Sequence, residues 1–281
     1  MKRQKRVVAI HDISGFGRCS LTVALPIISA AGIETSVIPT AVLSTHTGGI
    51  KGYTYLDLTD EIMPFAKHWK TLDLKFDGIY TGYVGSIHQL EILCDVFDML
   101  KSEETLIVVD PVMADHGKLY KTFSEDFPME MKKLASKADI IVPNMTEAVF
   151  MLGRPYEEGP YTESYIEDLL KDLSQLAKKV VLTGVYYDEH QLGAASYDVE
   201  KNQVHYAFEE RIEGHYHGTG DVFGSALVAA LIRGLGLERA ARIAVDYTVA
   251  SIKRTWLAGT DDRFGVNFEE GIGSFVEQLN K

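Results

Sequence analysis

The chain has 281 residues, 40 acidic and 28 basic, for a formal net charge of −12. With 46% hydrophobic and 24% charged residues it has the composition of a soluble globular chain, which excludes a disordered tail and a disulfide scaffold. No apolar stretch approaches the roughly 18–20 residues of a membrane span. The acidic balance also argues against a nucleic-acid coat, which needs clustered Lys and Arg, so neither a membrane nor a nucleic acid is an expected partner.

The basic start Met1-Lys2-Arg3-Gln4-Lys5-Arg6 is followed only by Val7–His11 before Asp12. That is too short for the apolar core of a signal peptide, and the run reads as a strand. Cys19 and Cys94 form no C-x-x-C pair, which suggests a reducing, cytoplasmic setting. Strand patterns fall at Arg6–His11, Thr35–Leu43, Gly78–Thr81, Leu106–Val109, Ile140–Pro143, Val180–Thr183, Gly193–Val199 and Gln203–Phe208. Helical patterns lie between the first six, at Ser20–Ala31, Leu56–Trp69, His88–Leu100 and Ile166–Ala177. Strands alternating with helices predict βαβ units and a mostly parallel sheet covered on both faces. The Glu200–Asn202 turn predicts an antiparallel hairpin at one edge, and two helices, Thr219–Arg233 and Leu237–Arg254, follow. No linker interrupts the pattern, so one α/β domain over 1–281 is expected.

The strongest motif is His217-Gly218-Thr219-Gly220-Asp221-Val222-Phe223-Gly224. Apolar residues follow it at helical spacing, so a glycine pair opens a buried helix. Exposed N–H groups and the helix dipole make that an anion hole. Asp221 stands where a plain capping carboxylate would, but the flanking glycines favour phosphate chemistry with Asp221 as base. Earlier, Ile10-His11-Asp12-Ile13-Ser14-Gly15-Phe16-Gly17-Arg18-Cys19-Ser20 reads as a strand, a turn and a helix start. It resembles G-x-G-x-x-G with Ser20 at the third glycine, and Glu34 falls at the start of strand two rather than its end.

Four further loops fall at the carboxyl ends of strands, where open α/β sheets bind ligands. Ser44-Thr45-His46-Thr47-Gly48-Gly49 carries a histidine in a polar loop. Tyr80-Thr81-Gly82-Tyr83-Val84-Gly85-Ser86 leads into a Ser86-x-x-Gln89 capping box. Val108-Val109-Asp110-Pro111-Val112-Met113 ends a strand in Asp, which faces a crevice or makes a turn. In Val142-Pro143-Asn144-Met145-Thr146-Glu147, Asn144 and Glu147 either cap a helix or hold Mg²⁺ through water. Walker, zinc and hydrolase-elbow motifs are absent from the sequence.

In this order the motifs resemble the ribokinase superfamily, and most closely its pyridoxal/pyridoxamine kinase branch, with hydroxymethylpyrimidine kinase a near relative. The resemblance implies a three-layer αβα sandwich and an ATP- and Mg²⁺-dependent vitamin B6 salvage kinase, a transferase acting on an alcohol group. It implies Asp221 as base with Gly218, Thr219 and Gly220 as anion hole. It places Asp12, His46, Thr47, Tyr83, Asp115 and Tyr120 around the vitamin, with Asp115–Tyr120 on a flap. It assigns Asn144, Glu147, Thr183, Gly184 and Phe223 to ATP, and Asp110 and Glu147 to the metal. A homodimer is also implied. Asp12-Ile13-Ser14-Gly15 is nearer the D-P-S-G of hydroxymethylpyrimidine kinases, so that acceptor is the alternative. Val142 stands where pyridoxal kinases often carry Thr beside a monovalent cation, and that cation is left open. From other classes, an NAD-dependent oxidoreductase using Gly15-Phe16-Gly17 and a non-catalytic vitamin-binding sensor are the rivals.

Overall fold

The computed structural model describes residues 3–281; Met1 and Lys2 of the basic start lie outside them. The chain runs β1 (Arg6–Phe16), α1 (Leu21–Ala30), β2 (Glu34–Thr45), β3 (Tyr55–Asp57), α2 (Thr59–Thr71), β4 (Gly78–Thr81) and α3 (Ile87–Leu100). It continues through β5 (Leu106–Val109), β6 (Ala114–Asp115), β7 (Lys118–Leu119), α4 (Phe127–Ala135), β8 (Ile140–Ile141), α5 (Met145–Met151) and α6 (Glu163–Leu173). The last part is β9 (Lys179–Val185), β10 (Gln191–Asp198), β11 (Gln203–Glu210), α7 (Thr219–Ile232), α8 (Leu237–Ala258) and α9 (Ile272–Leu279).

Nine strands form one sheet in the order β11-β10-β9-β8-β5-β4-β1-β2-β3. The centre from β9 to β2 is parallel; β10 and β11 at one edge and β3 at the other are antiparallel. Side chains alternate between the faces, as the strand repeat requires. Val8, Ile10 and Ile79 join one core with Phe97, Phe127 and Leu170. Val7, Ala9 and Tyr80 join the other with Ile27, Leu227 and Phe275. Helices therefore cover both faces, giving the expected three layers. α7 is buried almost all round, between the sheet and its neighbours α1 and α8.

Three local expectations are corrected. β1 does not stop at His11 but runs on to Phe16, with a register shift against β2 between His11 and Ile13. Gly15-Phe16-Gly17 is thus not a tight turn delivering a helix N-terminus to a pyrophosphate, and the dinucleotide reading loses its geometry. Leu56 does not open a helix. It sits in β3, pairing with Val42, and α2 starts at Thr59, after Asp57 Oδ1 has accepted the Thr59 N–H. Of Ile140–Pro143 only Ile140–Ile141 is strand, because Pro143 has no N–H for the ladder. Among the described residues no helix is long and apolar enough to cross a membrane.

Candidate active site

From β1 the chain goes to β2 on one side, then to β4, β5, β8 and β9 on the other. The strand order therefore reverses beside β1, and a crevice opens there at the carboxyl ends. It is a cavity of about 690 Å³. Every site residue that the resemblance implies lines it. Asp221 and Gly218 to Gly220 come from the start of α7, and Asp12, His46, Thr47 and Tyr83 from the β1, β2 and β4 ends. Asp110, Asp115 and Tyr120 follow β5, Asn144 and Glu147 follow β8, and Thr183, Gly184 and Phe223 complete the wall.

The α7 N-terminus requires its glycine. Gly218 is the N-cap with φ 74° and ψ 2°, and a Cβ there would stand 2.1 Å from the Arg18 carbonyl oxygen. Only a residue without Cβ brings the chain this close to the β1–α1 loop. The N–H groups that follow precede the first helical bond, which Val222 donates to Gly218, so they are free for a ligand.

Asp221 lies in that first turn, partly exposed to the cavity. Burial pushes its carboxyl up to about 7; Asp12 adds to the rise and the Ser20 N–H, which donates to it, opposes it. Ser20 also donates its hydroxyl to Asp12 Oδ1 at 2.5 Å, and Ser14 donates to Oδ2 at 3.3 Å. One serine thus ties the two carboxylates together. It does so at φ 56°, a backbone position that side chains other than glycine rarely take and that costs about 1–3 kcal/mol. Sequence reading saw Ser20 only as a missing glycine; its strained φ is invisible without coordinates. Asp12, 4% exposed, is pushed up by burial against those hydroxyl bonds. Next to it His11 is sealed edge-on against Tyr80, and burial lowers its imidazole to about 3.

Asn144 and Glu147 form the capping box: the Asn144 side chain accepts the Glu147 N–H at 2.9 Å and Glu147 Oε2 accepts the Asn144 N–H at 2.8 Å. Both also hold the β6–β7 hairpin. Glu147 Oε1 accepts the Met113 N–H at 3.1 Å, and Asn144 Nδ2 donates to the Ala114 carbonyl at 2.8 Å. Burial raises Glu147 to about 8. Asp110 is raised well above the carboxylate range by burial, then by Glu147 and Asp221.

Seven carboxylate side chains line the cavity, the others being Asp115, Glu158 and Glu210, against one guanidinium, Arg211. Buried carboxylates that raise one another fit a hard divalent cation, which relieves their repulsion. Among the described residues no three His, Cys, Asp or Glu side chains stand ready to ligate a metal by themselves. Asp110 and Glu147 would therefore hold Mg²⁺ together with water and phosphate oxygens, the usual manner for this ion.

On the far side of Asp221, His46 Nδ1 accepts the Gly48 N–H at 3.1 Å while Nε2 lies on the Arg263 carbonyl. With Nδ1 as the acceptor, Nε2 is the nitrogen that faces the carbonyl as donor. The His217 ring lies 4.8 Å from that of His46, and burial, His46 and His215 lower its pKa. Tyr83 leans on Phe123, with ring centroids 5.7 Å apart. Opposite, Val245, Thr248, Val249 and Ile252 of α8 add an apolar wall beside Phe223. Sequence reading missed these four because they follow the same helical period as the residues that face the core.

Comparison with known proteins agrees with this geometry. Residues 25–265 match the phosphomethylpyrimidine kinase family, and the chain belongs to that family. The pyridoxine/pyridoxal/pyridoxamine kinase of Bordetella avium is 28% identical over 266 residues, covering 90% of this chain and 86% of that one. A structure of the Lactobacillus plantarum pyridoxal kinase superposes with a TM-score of 0.90 at 32% identity, covering 99% and 98% of the two chains. A protein of Bacteroides thetaiotaomicron, provisionally described as a phosphomethylpyrimidine kinase and crystallised with pyridoxal, gives 0.91 at 36% identity over 99% and 96%. The fold is ribokinase-like.

Proposed function

We propose that the protein transfers the γ-phosphoryl group of ATP to the 5′-hydroxymethyl group of pyridoxal, pyridoxamine or pyridoxine. The observation that carries this reading is the position of Asp221. It stands in the first turn of α7, beside the free N–H groups, in the same cavity as His46, Thr47 and Tyr83. The names of the relatives support the same acceptor class.

Asp221 accepts the hydroxymethyl proton as the oxygen attacks phosphorus in line. A pKa of about 7 suits a base working near neutrality. The N–H groups of Thr219 and Gly220 face the charge that spreads over the transferring oxygens. Mg²⁺, when bound, neutralises phosphate charge. Asn144, Glu147 and Thr183 orient the polyphosphate, and the α8 wall with Phe223 offers the adenine an apolar face. His46, Thr47 and Tyr83 grip the vitamin ring, and Asp12 takes a ring N–H. The flap with Asp115 and Tyr120 keeps water out. We also propose cytoplasmic action, where ATP is available. A homodimer is proposed too, since Val42 and Leu56 pair on an exposed apolar edge; light scattering tests that.

The alternative acceptor is hydroxymethylpyrimidine or its phosphate, favoured by the Asp12-Ile13-Ser14-Gly15 segment and by the family's own description. Turnover with Mg-ATP against the three B6 vitamers, hydroxymethylpyrimidine and ribose decides. Phosphorylation of a vitamer supports the first reading, turnover of the pyrimidine alone replaces it with the second, and binding without turnover supports a sensor.

A further inference from the structure

The flap hairpin has two residues a side, Ala114–Asp115 and Lys118–Leu119. So short a ladder does not hold itself in water. Its base is fastened by the two bonds from Glu147 and Asn144 already described, at Met113 and Ala114. Its tip is fastened by one: the Gly117 N–H donates to Thr146 Oγ1 at 3.0 Å. The fit at the tip is close. Gly117 has φ +71°, and a Cβ there would stand 2.6 Å from Cδ1 of Tyr156. Thr146, 2% exposed, sits between Asn144 and Glu147 in the first turn of α5, so three neighbouring side chains hold the flap at its base and its tip.

We propose that Thr146 is the latch of the flap. Its hydroxyl holds the tip over the cavity, and the first turn of α5 thereby ties flap closure to the residues that face the phosphates. Thr146 is a positioning residue and acts through Gly117. The inference rests on the kinase reading above, because its consequence is a partition between two acceptors. With the tip released, water reaches the site: its oxygen attacks the γ-phosphorus, the bond to the ADP oxygen breaks, and inorganic phosphate and a proton leave. With the tip latched, the hydroxymethyl oxygen is the acceptor.

The test compares Thr146→Val, which keeps the side-chain shape and loses the hydroxyl, with Thr146→Ser, which keeps the hydroxyl. The lost bond is a neutral one worth about 0.5–1.5 kcal/mol, or roughly 2- to 10-fold in the open-to-closed ratio. The valine variant should raise inorganic phosphate release relative to acceptor phosphorylation by that factor, and raise the acceptor KM similarly, while serine stays near wild type. An unchanged ratio and an unchanged KM in Thr146→Val would overturn the latch. Hydrogen exchange of the Gly117 amide in the wild-type chain gives a second readout that needs no variant to fold. Protection supports the bond, and exchange at the rate of an unstructured amide overturns it. If the wild type phosphorylates no acceptor, the kinase reading fails and the amide measurement alone judges the latch.

Discussion

Replacing Asp221 by asparagine should move activity and stability in opposite directions. The substitution keeps the shape of the side chain and an oxygen that can accept the Ser20 N–H. It removes the base, for which a loss of about 10²–10⁴ in kcat is expected. The wild type should show an acid limb in kcat/KM centred near the carboxyl's value of about 7, with activity falling as the base is protonated. The asparagine residue cannot titrate, so its residual activity should lack that limb. The stability effect follows from the same shift, 3.8 to about 7. In the folded chain the ionised form is the disfavoured one. Stability linked to this group is fully present below the unfolded value and is lost as pH rises through about 7. The full shift corresponds to about 4 kcal/mol, and to about 2 kcal/mol once discounted for the solvent that reaches the carboxylate. At pH 8 the asparagine variant should therefore be the more stable, and the gap should close towards pH 4. Steady-state phosphorylation with and without acceptor, and denaturant unfolding at both pH values, measure the two effects. A variant that keeps turnover within tenfold of wild type refutes the base assignment. A stability gap that does not change with pH refutes the electrostatic argument.

Other outcomes follow from the same geometry. Gly218→Ala should lose most turnover and about 1–3 kcal/mol of stability, since its Cβ meets the Arg18 carbonyl at 2.1 Å with φ at +74°; unchanged kinetics would mean that the α7 N-terminus does not bind phosphate. His11 should remain neutral through pH 5, and NMR of its ring should show no titration near 6.5. Its lowered value makes the folded chain lose stability as pH falls below 6.5, by about 2 kcal/mol at pH 5, because only the unfolded state takes up the proton. A ring that titrates near 6.5 would show that the site is not sealed.

The parallel strands were legible because both their faces are buried, so Gly78–Thr81 and Leu106–Val109 are uninterrupted apolar or small runs with the bounds expected. The glycine-opened start of α7 was legible because Gly218 answers a backbone demand that no other residue meets. β1 was read short for a related reason. Beyond His11 it carries Asp12, which lines the cavity, and Ser14, which is hydrogen-bonded to Asp12, and a strand that ends in such polar residues does not look like a core strand. The Asp115–Tyr120 segment was singled out by the resemblance, but not as a hairpin, since two-residue strands leave no period. Its fastening to α5 depends on contacts between residues about 30 apart in sequence, and no local pattern carries those.

Asn144 and Glu147 show why a structural and a functional reading of one motif need not compete. The sequence allowed either a capping box or a metal-ordering pair, and the structure contains the capping box in full. The box fixes what a metal-ordering pair needs. Each Glu147 oxygen is held by a backbone N–H, which sets the carboxylate plane and leaves lone pairs that could accept from metal-bound water. The Asn144 amide, turned to the Ala114 carbonyl, brings the flap base to the same helical turn. A cap placed at a strand's carboxyl end, beside Asp110 and against the β6–β7 hairpin, would on the proposed reading serve as a preorganised part of the site.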